Sequence, residues 1–430
     1  MSSKLLVVSQ GYFDHFHERN LEMVRTDMFQ TARGAILTFL LLQMTNSATD
    51  GKVGTLNPFS EYVKFLPARI PIPTLWNDEE RLLLTGTSLE AAVESKLKSL
   101  DREFTLLREK TTSIDWCRQY WWDTEIVVLT FDDWKQVDAM YRSRALDLPG
   151  TGHAMVPCID MANHASGDDT TALYDTDDNG NAVLVLRDDK NLIANDEVTI
   201  TYGDEKGACE MLFSYGFIES TMKSARELFL DLEIPDDDPL KLAKKAVSNT
   251  APGFRLFVDG DSVGWEGSFV WLIVVNEEDG LEFKLLQNTN GERELQASWK
   301  DEVVPDMSKL QTLAQNELLW DVFNLRAVTT LQYRIEQQLI RLEGSKKYID
   351  ELLKDDTIEQ SIRDNARRLR ESEEALMLRA YDDFESKVVD MAPSKGCSLL
   401  IQLLTEGRTF RIVGCSELPE RSIGTERNAG

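Results

Sequence analysis

VPCIDMANH (Val156–His164), NDEVTITYG (Asn195–Gly203) and FSYGF (Phe213–Phe217) are the stretches whose reading decides the fold. Around them the local pattern is β. LVLRDDKNLIANDEVTITYGD (Leu184–Asp204) holds two apolar runs broken by Asn195-Asp196, residues that tolerate left-handed turn geometry, so a strand ends at Tyr202-Gly203. Upstream, Ala172-Leu173-Tyr174 and Val183–Leu186 flank Asn179-Gly180, a strong hairpin dipeptide. DTDDNG (Asp175–Gly180) also resembles the start of a calcium loop, but Leu186 stands where that loop needs a bidentate glutamate. The hairpin is the favoured reading. Taken singly, Asn163-His164 fits a turn with a satisfied histidine, and Tyr202 fits half-buried packing as well as catalysis.

Working outward, the 430 residues allow two to three domains of ~150 residues. With 42% apolar and 28% charged residues, a sizeable core is available. Acidic residues number 74 against 47 basic ones, a net charge of −27. That surface repels a phosphate backbone, which argues against nucleic-acid binding and favours a basic protein partner or a cationic small molecule. No run reaches the ~18 apolar residues of a membrane span, and Met1–Phe16 reads as mature protein with no cleavage signal. The five cysteines (Cys117, Cys158, Cys209, Cys397, Cys415) never form C-x-x-C, which fits a reducing compartment with mostly buried free thiols. Dinucleotide, P-loop, zincin and α/β-hydrolase motifs are absent, and four histidines (His15, His17, His153, His164) leave little for metal sites or triads.

Residues 27–44 read as a buried helix. Four prolines from Pro58 to Pro73 impose an extended passage, after which Asn77 with Asp78, Glu79 and Glu80 forms a helix start and Gly86 a stop. Ser88–Lys110 reads as an amphipathic helix. Leu318, Val322, Leu325, Leu331, Ile335, Leu339 and Leu342 mark one apolar helical stripe. The charged stretch from Ile358 to Val388, with Arg367, Arg368 and Arg370 opposite Glu371, Glu373 and Glu374, reads as a solvated helix laced with ion pairs.

In this order, SRAL (Ser143–Leu146), VPCIDMANH, NDEVTITYG and FSYGF resemble the C-terminal half of the SET domain, a β-fold that transfers methyl groups from S-adenosylmethionine to protein side chains. PFSEYVKFLPARIPIPTLWNDEERLLLTGT (Pro58–Thr87) resembles the helical insertion of the Rubisco large-subunit methyltransferase-like branch. The resemblance implies an α+β fold: a partial SET β-fold with a helical insertion, then a mostly α-helical substrate-binding lobe. Residues 1–26 match nothing, 27–130 would be the insertion, 131–222 the C-terminal SET core and 223–430 the helical lobe. Met1–Thr26 has a single glycine and no G-x-G, so the N-terminal SET strands are expected to be lacking.

The resemblance further implies S-adenosyl-L-methionine as cofactor, no metal, and Tyr202 as the catalytic residue. Arg144, Asp160, Met161, Ala162, Asn163, His164, Tyr215, Gly216 and Phe217 would bind the cofactor. The implied activity is protein-lysine N-methylation of a basic, non-histone protein, ribosomal or translational proteins among the candidates. A monomer in the cytoplasm or nucleus is the expected setting. Two alternatives stay open: an inactive SET-like protein-binding module, and an enzyme whose acceptor is histidine.

Overall fold

The computed structural model describes residues 3–8, 31–47, 58–123, 129–222, 224–287, 291, 293–394 and 398. Cys397, Cys415, His15 and His17, and most of the 1–26 segment, lie outside the described residues. Two compact units form, Met1–Arg226 with Lys346–Ser372, and Glu227–Ser345 with Glu373–Gly430.

The first unit opens its helical part with α1 (Ala32–Ser47) and α2 (Pro58–Lys64). The proline-rich passage then runs to α3 (Asp78–Leu82), where Asn77 and Glu80 make the reciprocal capping box that their spacing predicts. α4 (Ser88–Thr111) follows, and Thr130 with Asp133 caps α5 (Phe131–Arg144) in the same way. Leu37, Leu40 and Leu41 of α1 pack with Leu100 and Leu107 of α4, Trp134 and Val137 of α5, and Trp121 from the short π-helical segment Arg118–Trp122.

One polar group sits among these helices. Asp138 of α5 is fully buried and meets three cations: Arg33 of α1 at 2.6 Å, Lys96 of α4 at 3.0 Å and Arg142 of α5 itself at 2.8 Å. Burial alone would raise its carboxyl, but Arg142, Lys96 and Arg33 outweigh that and hold it below the ordinary value. Arg142 reaches on to the Phe213 carbonyl at 2.7 Å and the Thr74 hydroxyl at 2.5 Å.

The β part of this unit packs around Leu146, Val156, Ile159, Leu184 and Ile200. β1 (Ser3–Val8) precedes β2 (Leu146–Leu148), β3 (Gly152–Ala154), β4 (Asn163–His164), β5 (Ala172–Thr176), β6 (Ala182–Leu186) and β7 (Thr199–Ile200). β5 and β6 form the expected hairpin, Ala172 opposite Leu186 and Thr176 opposite Ala182, with Gly180 at φ +74°. The Asp177 carboxylate accepts from the Asn179 and Asn181 amides, so a carboxylate of the calcium-like run is used to build the turn. β4 and β7 pair in parallel, and α6 (Ala208–Tyr215) leads out of the β part. Ser3–Val8, in the segment read as matching nothing, pairs antiparallel with β6, so the β-sheet gains an edge strand from a sequence with no glycine signal.

The second unit contains more β-structure than its helical reading foresees. β8 (Glu227–Asp231), β9 (Gly253–Asp259) and β10 (Ser262–Glu266) make one antiparallel sheet, and β11 (Leu281–Gln287), β12 (Arg293–Trp299) and β13 (Glu302–Val303) another. Among its helices are α7 (Lys241–Val247), the buried α8 (Ser268–Val274) and α9 (Leu310–Gln315). Lys244 of α7 is buried, its ammonium held by Asp238 at 2.7 Å and the Asn276 side chain at 3.1 Å. The long helices α10 (Trp320–Leu352) and α11 (Gln360–Met391) each contribute residues to both units. Val322, Leu331, Ile335 and Leu342 are buried as the stripe predicts, whereas Leu318 precedes α10 and is 87% exposed. The charged face of α11 is not simply solvated, because Arg370 and Glu373 are buried.

Asp138→Ala would strand the charges of Arg33, Lys96 and Arg142 in a buried site. Its expected cost is about 3–5 kcal/mol of stability, read by denaturant unfolding. A loss below about 1 kcal/mol, the scale of an exposed ion pair, would show that water compensates these cations.

Candidate functional site

The residues singled out by sequence fall into two adjoining groups on the first unit. The first is a buried acid cluster. Asp160 lies in the turn after Cys158, whose φ of +75° bends the chain there. Tyr62 of α2 donates its hydroxyl to one Asp160 carboxylate oxygen, and Arg144 at the end of α5 donates to the Asp160 carbonyl at 2.9 Å. Burial raises the Asp160 carboxyl to about 6, against the lowering pull of Tyr62 and Arg144, and it drives the Tyr62 hydroxyl strongly up. Asp160 Oδ1 and Arg144 Nε are buried with no hydrogen-bond partner. Unsatisfied buried polar groups of this kind are the exception in folded proteins, and here two of them fall together at one site.

The second group is aromatic. Tyr202, just past β7, stands 4.6 Å from Tyr215, 5.1 Å from His164 and 6.4 Å from Phe217 between ring centroids. Its hydroxyl donates to the Ala162 carbonyl at 2.9 Å, and the Tyr215 hydroxyl donates to the Tyr202 carbonyl at 3.4 Å. Burial pushes the Tyr215 hydroxyl up to about 12 and raises that of Tyr202, so both stay neutral near pH 7. Gly216 ends α6 in left-handed geometry at φ +83°, and a Cβ there would come within 2.8 Å of the Pro71 backbone.

Two sequence candidates stand apart from both groups. Met161 is 38% exposed. Asn163 turns its amide to Glu197 at 2.6 Å on the surface, so its side chain does not join the aromatic group.

Several supporting residues carry no motif. Asn365 of α11 donates to the Gly216 carbonyl at 3.2 Å and accepts from the Ile218 amide at 3.1 Å, while Arg368 donates to the Ile218 carbonyl. Glu219 meets His164 Nε2 at 3.0 Å. Asn195, at φ +77°, is a framework position whose local sequence announces its geometry.

No family model matches the chain. It is 32% identical over 233 residues to SET domain-containing protein 8 of Schizosaccharomyces pombe, covering 54% of this chain and 51% of that protein. It is 24% identical over 326 residues to the chloroplastic [fructose-bisphosphate aldolase]-lysine N-methyltransferase of Arabidopsis thaliana, covering 70% and 65%. The chain thus spans about half the length of the first relative and 65% of the second. Its fold superimposes with a TM-score of 0.63, at 18% identity, on the SET domain of LSMT bound to methyl-lysine and AdoHcy, over 94% of this chain and 87% of that one. This is a SET-domain fold, α+β, in a chain that resembles the Rubisco large-subunit methyltransferase branch.

The raised Asp160 carboxyl has a consequence for stability. Between its ordinary value of 3.8 and about 6, the folded chain holds a proton that the unfolded chain has released. This contribution is therefore fully present below about pH 4 and is lost as pH rises through 6. Asp160→Asn keeps a neutral side chain at every pH. The stability difference between the two chains should change by on the order of 3 kcal/mol from pH 4 to pH 7, against the unmodified one. Urea unfolding of both across that range measures it, and parallel curves would refute the buried-proton assignment.

Proposed function

We propose that this SET-domain chain is an S-adenosylmethionine-dependent protein-lysine N-methyltransferase acting on a non-histone protein. The observation that carries the reading is the packing of Tyr202, Tyr215 and Phe217 about His164, with the Tyr202 hydroxyl anchored on a backbone carbonyl. The residues present fit the cofactor. Arg144, whose Nε has no protein partner, would meet its carboxylate, and Asp160–His164 with Tyr215–Phe217 would line the rest. Met161 and Asn163 would contribute through backbone. When bound, S-adenosylmethionine supplies an electrophilic methyl group.

What the chain's own residues do follows from their environment. The burial that raises both tyrosines disfavours a lysine ammonium in the same place, so the acceptor is pushed toward the neutral, nucleophilic amine. Tyr202 remains an un-ionised hydroxyl that orients, and it offers no base near neutrality. Catalysis is then alignment and exclusion of water. The net charge of −27 favours a basic protein segment as partner. Five scattered cysteines that never form C-x-x-C suit a reducing compartment, cytoplasm or nucleus, and we take the working form as a monomer.

A second reading, an inactive SET-like binding module, is favoured by one observation: the Asn163 amide is held on Glu197 at the surface.

Tyr202→Phe deletes one oxygen and keeps the ring. Methyl transfer from labelled cofactor to protein extract should fall 10²-fold or more. Stability should change by only about 1 kcal/mol. Unchanged transfer would remove Tyr202 from the catalytic role, and absence of transfer by the unmodified chain would favour the binding module. With Tyr202 offering no base near neutrality, kcat/KM should climb with pH by up to about tenfold per unit as more of the lysine, with its pKa of ~10.4, is neutral. A profile that is flat above pH 7 would contradict this.

A further inference from the structure

The residues that hold Tyr202 in place form a chain that runs through His164. His164 Nδ1 accepts from the Tyr202 amide at 3.0 Å, which requires Nδ1 to be unprotonated. The neutral ring then carries its proton on Nε2, and Nε2 faces Glu219 Oε1 at 3.0 Å. Ser166 donates its hydroxyl to the other Glu219 oxygen at 2.5 Å, and Arg226 lies 4.0 Å from that same oxygen. Arg226 also donates to the Asp204 carbonyl, and so ties the acid to the loop that follows Tyr202. The His164 and Glu219 side chains are 4% and 9% exposed, so water competes little for these bonds. Burial opposes the Glu219 charge, yet the bonds from Ser166 and His164 and the charge of Arg226 prevail and hold its carboxyl below the ordinary range.

We infer that Glu219 is a positioning residue: it fixes the Nε2–H tautomer of His164, and that tautomer holds the Tyr202 backbone where its ring meets Tyr215 and its hydroxyl meets Ala162. The opposite tautomer would point an N–H at the Tyr202 N–H, and the strand end would lose its anchor. Ser166 and Arg226 orient the acid. The inference rests on the methyltransferase reading for its kinetic consequence, but its structural content does not depend on turnover.

The chain has four histidines, so selective 15N-histidine labelling gives a tractable spectrum. In the unmodified chain His164 should show the Nε2–H signature. Ser166 Oγ also lies 3.2 Å from Nε2; in Glu219→Leu, which keeps bulk and removes the carboxylate to which Ser166 donates, that hydroxyl can turn to donate to Nε2, so the ring should populate the Nδ1–H tautomer and the Tyr202 amide signal should move. kcat should drop by about 10²-fold, the scale of a small misplacement, while KM for the protein substrate stays within about twofold. If Glu219→Leu does not fold, Glu219→Met keeps the length of the side chain and offers Nε2 neither an oxygen acceptor nor an N–H, so the same tautomer change is expected. Retention of a pure Nε2–H ring in the folded variant overturns the inference, as does unchanged kcat. If the unmodified chain transfers no methyl at all, the methyltransferase reading fails, while the tautomer measurement still decides the role of Glu219.

Discussion

The helices of the first unit converge on the buried carboxylate of Asp138. Asp138 draws Arg33, Lys96 and Arg142 onto one point, so α1, α4 and α5 share a common electrostatic centre as well as an apolar one. Removing three cations from water is costly, and the attraction repays it only where geometry is good and the remaining donors are satisfied. Both conditions hold for Arg142, whose other nitrogens bind Phe213 and Thr74. Phe213 lies two residues before Tyr215, and Arg142 two residues before Arg144. The same ionic contact therefore ties the last turn of α6 to the helix that carries the guanidinium beside Asp160.

The site built on that base mixes charge and apolar surface unequally. Around Asp160, burial keeps an acid protonated well into the weakly acidic range, with Tyr62 as its donor. Around Tyr202, burial keeps phenols neutral and lets hydroxyls bond to backbone carbonyls. Glu219 is the contrast: also withdrawn from water, it stays ionised because a hydroxyl, an imidazole and a guanidinium surround it. Neighbours, more than depth of burial, separate these outcomes.

The sequence was legible where geometry is local. Asn77 with Glu80 capped a helix, Asn179-Gly180 turned a hairpin and Asn195 took a left-handed conformation as their types require. The aromatic group was legible through its motifs. Other parts had a signal that the helical expectation for the second unit overrode. Asp259-Gly260 between alternating runs is a hairpin dipeptide, and β9 and β10 form there. Elsewhere no local signal exists. Asn365 and Arg368 sit in a charged helical run indistinguishable from a solvated face, and only the third dimension brings them to Gly216 and Ile218. Glu219 follows its motif by two residues, yet nothing in the pattern says that its partner is a histidine 55 residues earlier.

The clip of Asn365 on Gly216 and Ile218 also sets an order of events during synthesis. The aromatic motif and the helix that holds it are separated by about 150 residues, most of which belong to the other unit. At ~5–20 residues per second, Asn365 leaves the ribosome roughly 7–30 s after Gly216. For that interval the nascent first unit has all its motif residues and lacks the helix that fastens them. The second unit, through most of its length, is made inside this gap, so the turn at Gly216–Ile218 can be fastened only after the ribosome has passed that stretch.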